Sequence, residues 1–208
     1  MVYGDTMKFK QYINEDIDET VDEIAIILKK ECMPFINEMK RGNIQSWFFR
    51  ATEKKIDTIR EIKLRVNRKP RNIPKEIHDY MDMLFKKHFG WKVRSEGVFA
   101  TSDRYTISNI YGEPYLFFPM GKYKYVYHPQ IGDIYNFFDV MYGISYGEEY
   151  IDIDKMKKKF DELISQYTSK KLTNAYESVV EVSFKCKSYY LVDKKYGGKL
   201  MKSKYGLK

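Results

Sequence analysis

Glu181 is the residue in this chain best suited to chemistry. In an extended segment from Glu177 to Phe184, Val180, Val182 and Phe184 share one face and Val179, Glu181 and Ser183 the other, because side chains alternate along a strand. A carboxylate on that face is functional if the face covers a cleft, and an ordinary solvated group if it is open to water. Arg50 closes the aromatic run Ser46-Trp47-Phe48-Phe49-Arg50-Ala51. Its planar fork can clamp a pyrophosphate or a ribose oxygen through two hydrogen bonds, or it can lie over Trp47 or Phe49 with its charge in water. Thr101-Ser102 follows the apolar stretch Val98-Phe99-Ala100 and presents two hydroxyls, either to a ligand or as a helix cap.

Other chemistries lack their signatures. There is no Cys-x-x-Cys, no histidine pair at i, i+4, no Walker loop and no Gly-x-Gly-x-x-Gly, which disfavours zinc and phosphate-loop classes, and no metal is expected. The histidines His78, His88 and His128 leave Ser-His-Asp chemistry open, but no nucleophile elbow accompanies them. Arg68, Lys69 and Arg71 lie in a proline-bounded loop, Asn67 to Pro74, where they can bind phosphates or nucleic acid or form a plain surface loop.

The elements that must position these residues follow from periodicity. Ile17, Val21, Ile24, Ala25, Leu28 and Cys32 form one stripe of a helix that Pro34 is expected to end, so 1–40 reads as an N-terminal helical segment. Residues 62–66 alternate and read as a strand or a helix tail. Pro74 opens a helix carrying Ile77, Met81, Leu84, Phe85 and His88 up to Gly90. Asp103 can cap a short helix over 104–111. Tyr115 to Pro119 and Tyr123 to Tyr127 read as strands around Met120-Gly121-Lys122, and residues 131–151 as loops and short helix. Asp154 begins an amphipathic helix through Met156, Phe160, Leu163, Ile164 and Tyr167. Glu177 to Phe184 and Tyr189 to Val192 read as strands, and 194–208 as a basic mobile tail. Helices early and strands late, without βαβ alternation, predict an α+β fold with one domain over 41–193.

The order and setting of Phe48-Phe49-Arg50-Ala51, Val98-Phe99-Ala100-Thr101-Ser102 and Val179-Val180-Glu181-Val182 resemble the Arg/Ser-Thr-Ser/Glu pattern of ADP-ribosyltransferases. The segment from Ile73 to Phe99 is similar to the corresponding part of transferase-like proteins of large bacteriophages. The resemblance implies N-terminal helices packed on a mostly antiparallel, split β-sheet core, with NAD as co-substrate. It also implies catalytic roles for Glu181, Arg50 and Ser102. NAD contacts are implied for Arg50, Thr101, Ser102, Tyr111, Phe117 and Phe118, and ADP-ribose transfer to a host protein or nucleic acid. Many arginine-directed members carry a second Glu or Gln two residues before the catalytic Glu. This chain has Val179 there, which leaves the acceptor unassigned. The alternative reading is a non-catalytic nucleic-acid-binding or virion-internal phage protein with a degenerate transferase fold. An inhibitor of a host defence enzyme, with an acidic first helix mimicking phosphate, is a third.

Composition agrees with a globular, anion-seeking protein. The 208 residues are 43% hydrophobic, with 19 tyrosines and 13 phenylalanines, enough for a core and for ligand-lining rings. Thirty-seven Lys and Arg against 29 Asp and Glu give a net charge of +8, which attracts phosphates. The charge is uneven: acidic over 14–31, basic over 54–75 and 185–208. The two cysteines, Cys32 and Cys186, sit in apolar segments and fit buried free thiols. No apolar run is long enough for a membrane span and the start lacks a signal-peptide core, so a membrane partner and secretion are not expected. The host cytoplasm or the virion interior is the expected location.

Overall fold

The computed structural model describes residues 4–44, 46–69, 75–132, 153–202 and 207. It opens with α1 (Gly4–Arg41), 38 residues long. The apolar stripe of Val21, Ile24, Ala25, Leu28 and Cys32 continues past Pro34 into Phe35, Ile36 and Met39, all buried. The expected end at Pro34 is therefore a kink, with Cys32 pulled out of helical geometry at φ −118° and ψ 15°. Proline has no N–H for the carbonyl four residues back and its ring crowds that turn, but the resumed stripe draws the second half back onto the core.

Among the described residues seven strands follow: β1 (Phe49–Ala51), β2 (Ile59–Lys63), β3 (Val98–Ala100), β4 (Pro114–Pro119), β5 (Lys124–Tyr127), β6 (Val182–Lys185) and β7 (Ser188–Asp193). They form two antiparallel sheets, one in the order β1-β4-β7-β2 and the other β3-β6-β5. Of the alternating residues 62–66, Ile62 and Lys63 end β2, which pairs with β7, and 64–66 lie beyond the strand. Strands β4 and β5 are neighbours in sequence but belong to different sheets. Helices α2 (Lys75–Phe89), α3 (Val93–Glu96), α4 (Arg104–Tyr111), α5 (Ile153–Ser165) and α6 (Leu172–Glu177) complete the α+β architecture. Asp103 caps α4 as expected, accepting the backbone N–H groups of Tyr105 and Thr106. Among the described residues, no helix is long and apolar enough to cross a membrane.

The three-stranded sheet is covered on both faces. Val98, Val182 and Phe184 point into the main core with α1 and the four-stranded sheet. On the other face Val126 joins Met81, Leu84 and Phe85 of α2 and Phe160, Leu163 and Ile164 of α5 in a second core. Phe184 is the hinge pin of the main core, its ring 5.0 Å from Phe117, 5.6 Å from Phe48, and 6.1–6.3 Å from Tyr123, Phe35 and Tyr125. Cys32 and Cys186 are free and buried, and burial pushes the Cys186 thiol up to about 12, so neither is a reactive thiolate.

Two further expectations fail. The strand read from Glu177 begins only at Val182. Residues 172–177 are α6, closed by Ser178, with Val179 and Val180 donating to the carbonyls of Tyr176 and Ala175. Val179 takes a left-handed conformation, φ 58°, the place where glycine usually ends a helix. Such strain costs a β-branched residue about 1–2 kcal/mol, more than the extra unfolded-state freedom of glycine. Val179→Gly is therefore expected to raise stability by up to about 1 kcal/mol, read as a higher urea midpoint. A lower midpoint would show that the half-exposed valine side chain contributes packing that exceeds the strain. The 194–208 segment also departs from a mobile tail. It forms a 3₁₀ turn (Lys194–Tyr196) and α7 (Gly197–Lys202), and Tyr196, Leu200 and Leu207 are buried in the main core. Three widely spaced apolar residues among lysines and glycines anchor it.

Candidate functional site

The sheets bring the three motif positions onto, or to the ends of, neighbouring strands. Thr101 exchanges backbone hydrogen bonds with Phe49 at 2.7 and 3.0 Å, which stitches the end of β3 to β1 beside Arg50. Strand β3 pairs with β6 in the register Ala100↔Val182, which leaves Glu181 beside Thr101 where that ladder ends. Val182 and Phe184 face the main core and Ser183 faces Phe99, so the alternation expected around Glu181 holds from residue 180 onward.

Glu181 is half-buried. Its backbone N–H is held by the Gly132 carbonyl at 2.8 Å. It lines a cavity of about 10 Å³ with Phe85, Val93, Arg94, Gly132, Tyr167 and Ser183, room for about one water molecule. Ile131 and Gly132 form its rim. His128 holds that rim by accepting the backbone N–H groups of Gln130 and Ile131 on Nδ1 at 3.1 and 3.0 Å. Burial lowers the pKa of His128, which keeps Nδ1 an acceptor.

Three guanidinium groups gather at Phe99, the cross-strand partner of Ser183. Arg50 donates from Nη1 to the Phe99 carbonyl at 2.7 Å. Arg68 donates to the Gly97 carbonyl at 2.7 Å and lies over the Phe99 ring at 5.0 Å, with Arg94 over the same ring at 4.7 Å. Burial, followed by the charges of Arg50 and Arg94, pulls the Arg68 pKa down to about 10, while Glu181 opposes the shift. Arg68 stays protonated at neutral pH, and the unfavourable repulsion among three cations is relieved by an anion placed among them. Arg94 is itself fixed through α3, because buried Asp82 accepts the N–H groups of Arg94 and Ser95 and the Ser95 hydroxyl.

The remaining expected residues divide. Thr101 uses Oγ1 to accept the Asp103 N–H at 3.1 Å, and Ser102 donates its hydroxyl to the Tyr176 carbonyl at 2.7 Å. Ser102 therefore has lone pairs, not its proton, to offer a ligand. Phe117 and Phe118 are each 0% exposed. Phe117 packs on Phe184 and Tyr189 and Phe118 on Trp47 and Phe35, so their expected role as pocket rings is corrected to core packing. Both faces of β4 are covered, and alternation along it separates nothing. Tyr111 ends α4 and is 49% exposed. Lys69 is exposed on the surface, and Arg71 lies outside the described residues. Among the described residues no cluster of His, Cys, Asp and Glu suits a metal.

Sequence reasoning missed Arg94 and the Phe99 platform. The signal was present in Arg94-Ser95-Glu96-Gly97-Val98-Phe99, a cation one short turn before a strand that Arg50 and Thr101 also adjoin. No protein-family model matches the chain, and no curated protein and no solved structure matches it.

Proposed function

We propose that this chain is an NAD-dependent ADP-ribosyltransferase whose Glu181 acts at the ribose and whose arginines hold the diphosphate. One observation supports the reading above the others. Strands β1, β3 and β6 set Arg50, Thr101 and Glu181 side by side, with Arg68 and Arg94 stacked over Phe99 between them.

The charges suit the co-substrate. A dinucleotide diphosphate is a planar-fork target that several guanidiniums recognise together. Cleavage of the nicotinamide–ribose bond leaves positive charge on the sugar, which a nearby carboxylate stabilises as in glycoside hydrolysis. The electron pair of that bond departs with nicotinamide, and the acceptor nucleophile closes the new bond to the same carbon as it loses its proton. Glu181 and the arginines would then work by position and electrostatics. The space at Glu181 holds about one water, so NAD has to displace the Ile131-Gly132 rim on entry.

Wild-type protein at a tenfold excess of NAD over its Kd is expected to gain about 1.4 kcal/mol, a rise of about 3–6 °C in Tm for a chain of this size. Free nicotinamide should accumulate in the same samples by chromatography. Protein that neither shifts in Tm nor releases nicotinamide at millimolar NAD would sink the transferase reading.

A further inference from the structure

At the far end of β6 from Glu181 lies a second concavity. Lys185 lies four positions along the chain from Glu181, about 13 Å of extended backbone. An open groove of about 840 Å³ is lined there by the last turns of α1, the approach to β5 and the β6–β7 turn. Among the described residues its cations are Arg41, Lys122, Lys124, Lys185 and Lys187, and its one carboxylate is Glu38. Lys185 is paired with Glu96. Among the described residues the other four cations have no carboxylate within ion-pair distance.

Glu38 has a structural occupation. It accepts the hydroxyls of Tyr123 and of Tyr125, the latter at 3.0 Å, and Tyr125 in turn accepts the Leu172 N–H at 3.1 Å. The carboxylate is thus turned toward two O–H donors, and the two rings are fixed side by side, 6.2 Å apart and tilted by 33°. Both are half-buried along the groove. The result is a concave surface lined by an excess of cations and by two oriented, half-buried aromatic rings.

We propose that this groove binds single-stranded nucleic acid, its lysines and Arg41 on the phosphodiester backbone and Tyr123 and Tyr125 against unpaired bases. Phosphates favour the uncompensated cations through counterion release, and aromatic rings favour bases that are free to unstack. A duplex keeps its bases inside and presents a convex rod, which a concave groove with recessed rings fits poorly. The site is independent of the transferase reading and makes no use of Glu181.

The test is fluorescence anisotropy with a labelled single strand of about 12 nucleotides, using the full chain. Binding should weaken with salt at a log–log slope of about −2 to −3, the value for three or four phosphates on a single strand. The charge reversals Lys122→Glu with Lys187→Glu, both at exposed positions, should weaken it roughly tenfold or more with an unchanged circular dichroism melt. Glu181→Gln should bind as wild type does. Unchanged affinity in the double variant would overturn the proposal, as would a duplex of the same sequence binding as tightly as the single strand.

Discussion

Glu181→Gln is expected to slow nicotinamide release by about 10²–10³-fold, or roughly 2.7–4 kcal/mol of transition-state stabilisation, with little change in thermal stability. The amide preserves the size and most hydrogen-bonding capacity of the carboxylate but removes the negative charge that the developing sugar cation requires. The backbone of residue 181 is held separately by Gly132, so the substitution leaves the strand in place. Charge loss also removes the larger of the two contributions, from Glu181 and Tyr189, that favour protonated Arg68 against burial and the Arg50 and Arg94 charges. NAD affinity is therefore expected to be retained or increased, since the diphosphate becomes the anion that relieves those three cations. Steady-state rates beside a thermal titration separate the two effects. A variant that releases nicotinamide at the wild-type rate would remove Glu181 from the chemistry while leaving diphosphate binding possible.

Phe184→Ala is expected to cost about 3–5 kcal/mol, a large part of the roughly 5–15 kcal/mol that stabilises an ordinary domain. The ring is fully buried and meets Phe35 from α1, Phe48 from the approach to β1, Phe117 from β4, Tyr123 just before β5 and Tyr125 within it. Its removal leaves a cavity bounded by both sheets, and rings anchored on separate elements cannot all collapse into it. Tm should fall by on the order of 10 °C. Phe184→Leu, which retains most of the volume, should lose far less. Equal losses from the two substitutions would mean that ring shape rather than filled volume sets the contribution.

Local structure was legible where one short segment carried its own start and stop. Asp103 before residues 104–111 and the stripe from Ile77 to Phe85 predict α4 and α2 because capping and 3.6-residue periodicity are local properties. Strand pairing was not legible. β7 lies between β4 and β2, and β6 between β3 and β5, partners separated by tens to more than a hundred residues and chosen by core packing. Val179 and Val180 carry high β propensity but close a helix, because tertiary context holds Val179 at positive φ. In the tail, Tyr196, Leu200 and Leu207 are too sparse to register as a stripe. At the candidate site the individual positions Arg50, Thr101 and Glu181 could be read. Their adjacency through the Phe49–Thr101 bridge could not, and neither could the convergence of Arg68 and Arg94 on Phe99.

The coverage of the three-stranded sheet on both faces gives its amides two different clocks. The N–H groups of Val182 to Lys185 sit within a central strand between two cores, and exchange with deuterated solvent only when a large part of the molecule opens. The amide of Glu181 is tied to Gly132 at the rim, outside that ladder, and can exchange by release of the rim alone. Two residues adjacent in sequence thus belong to different cooperative units. Water can reach the carboxylate through the looser of them while the strand that follows it stays folded.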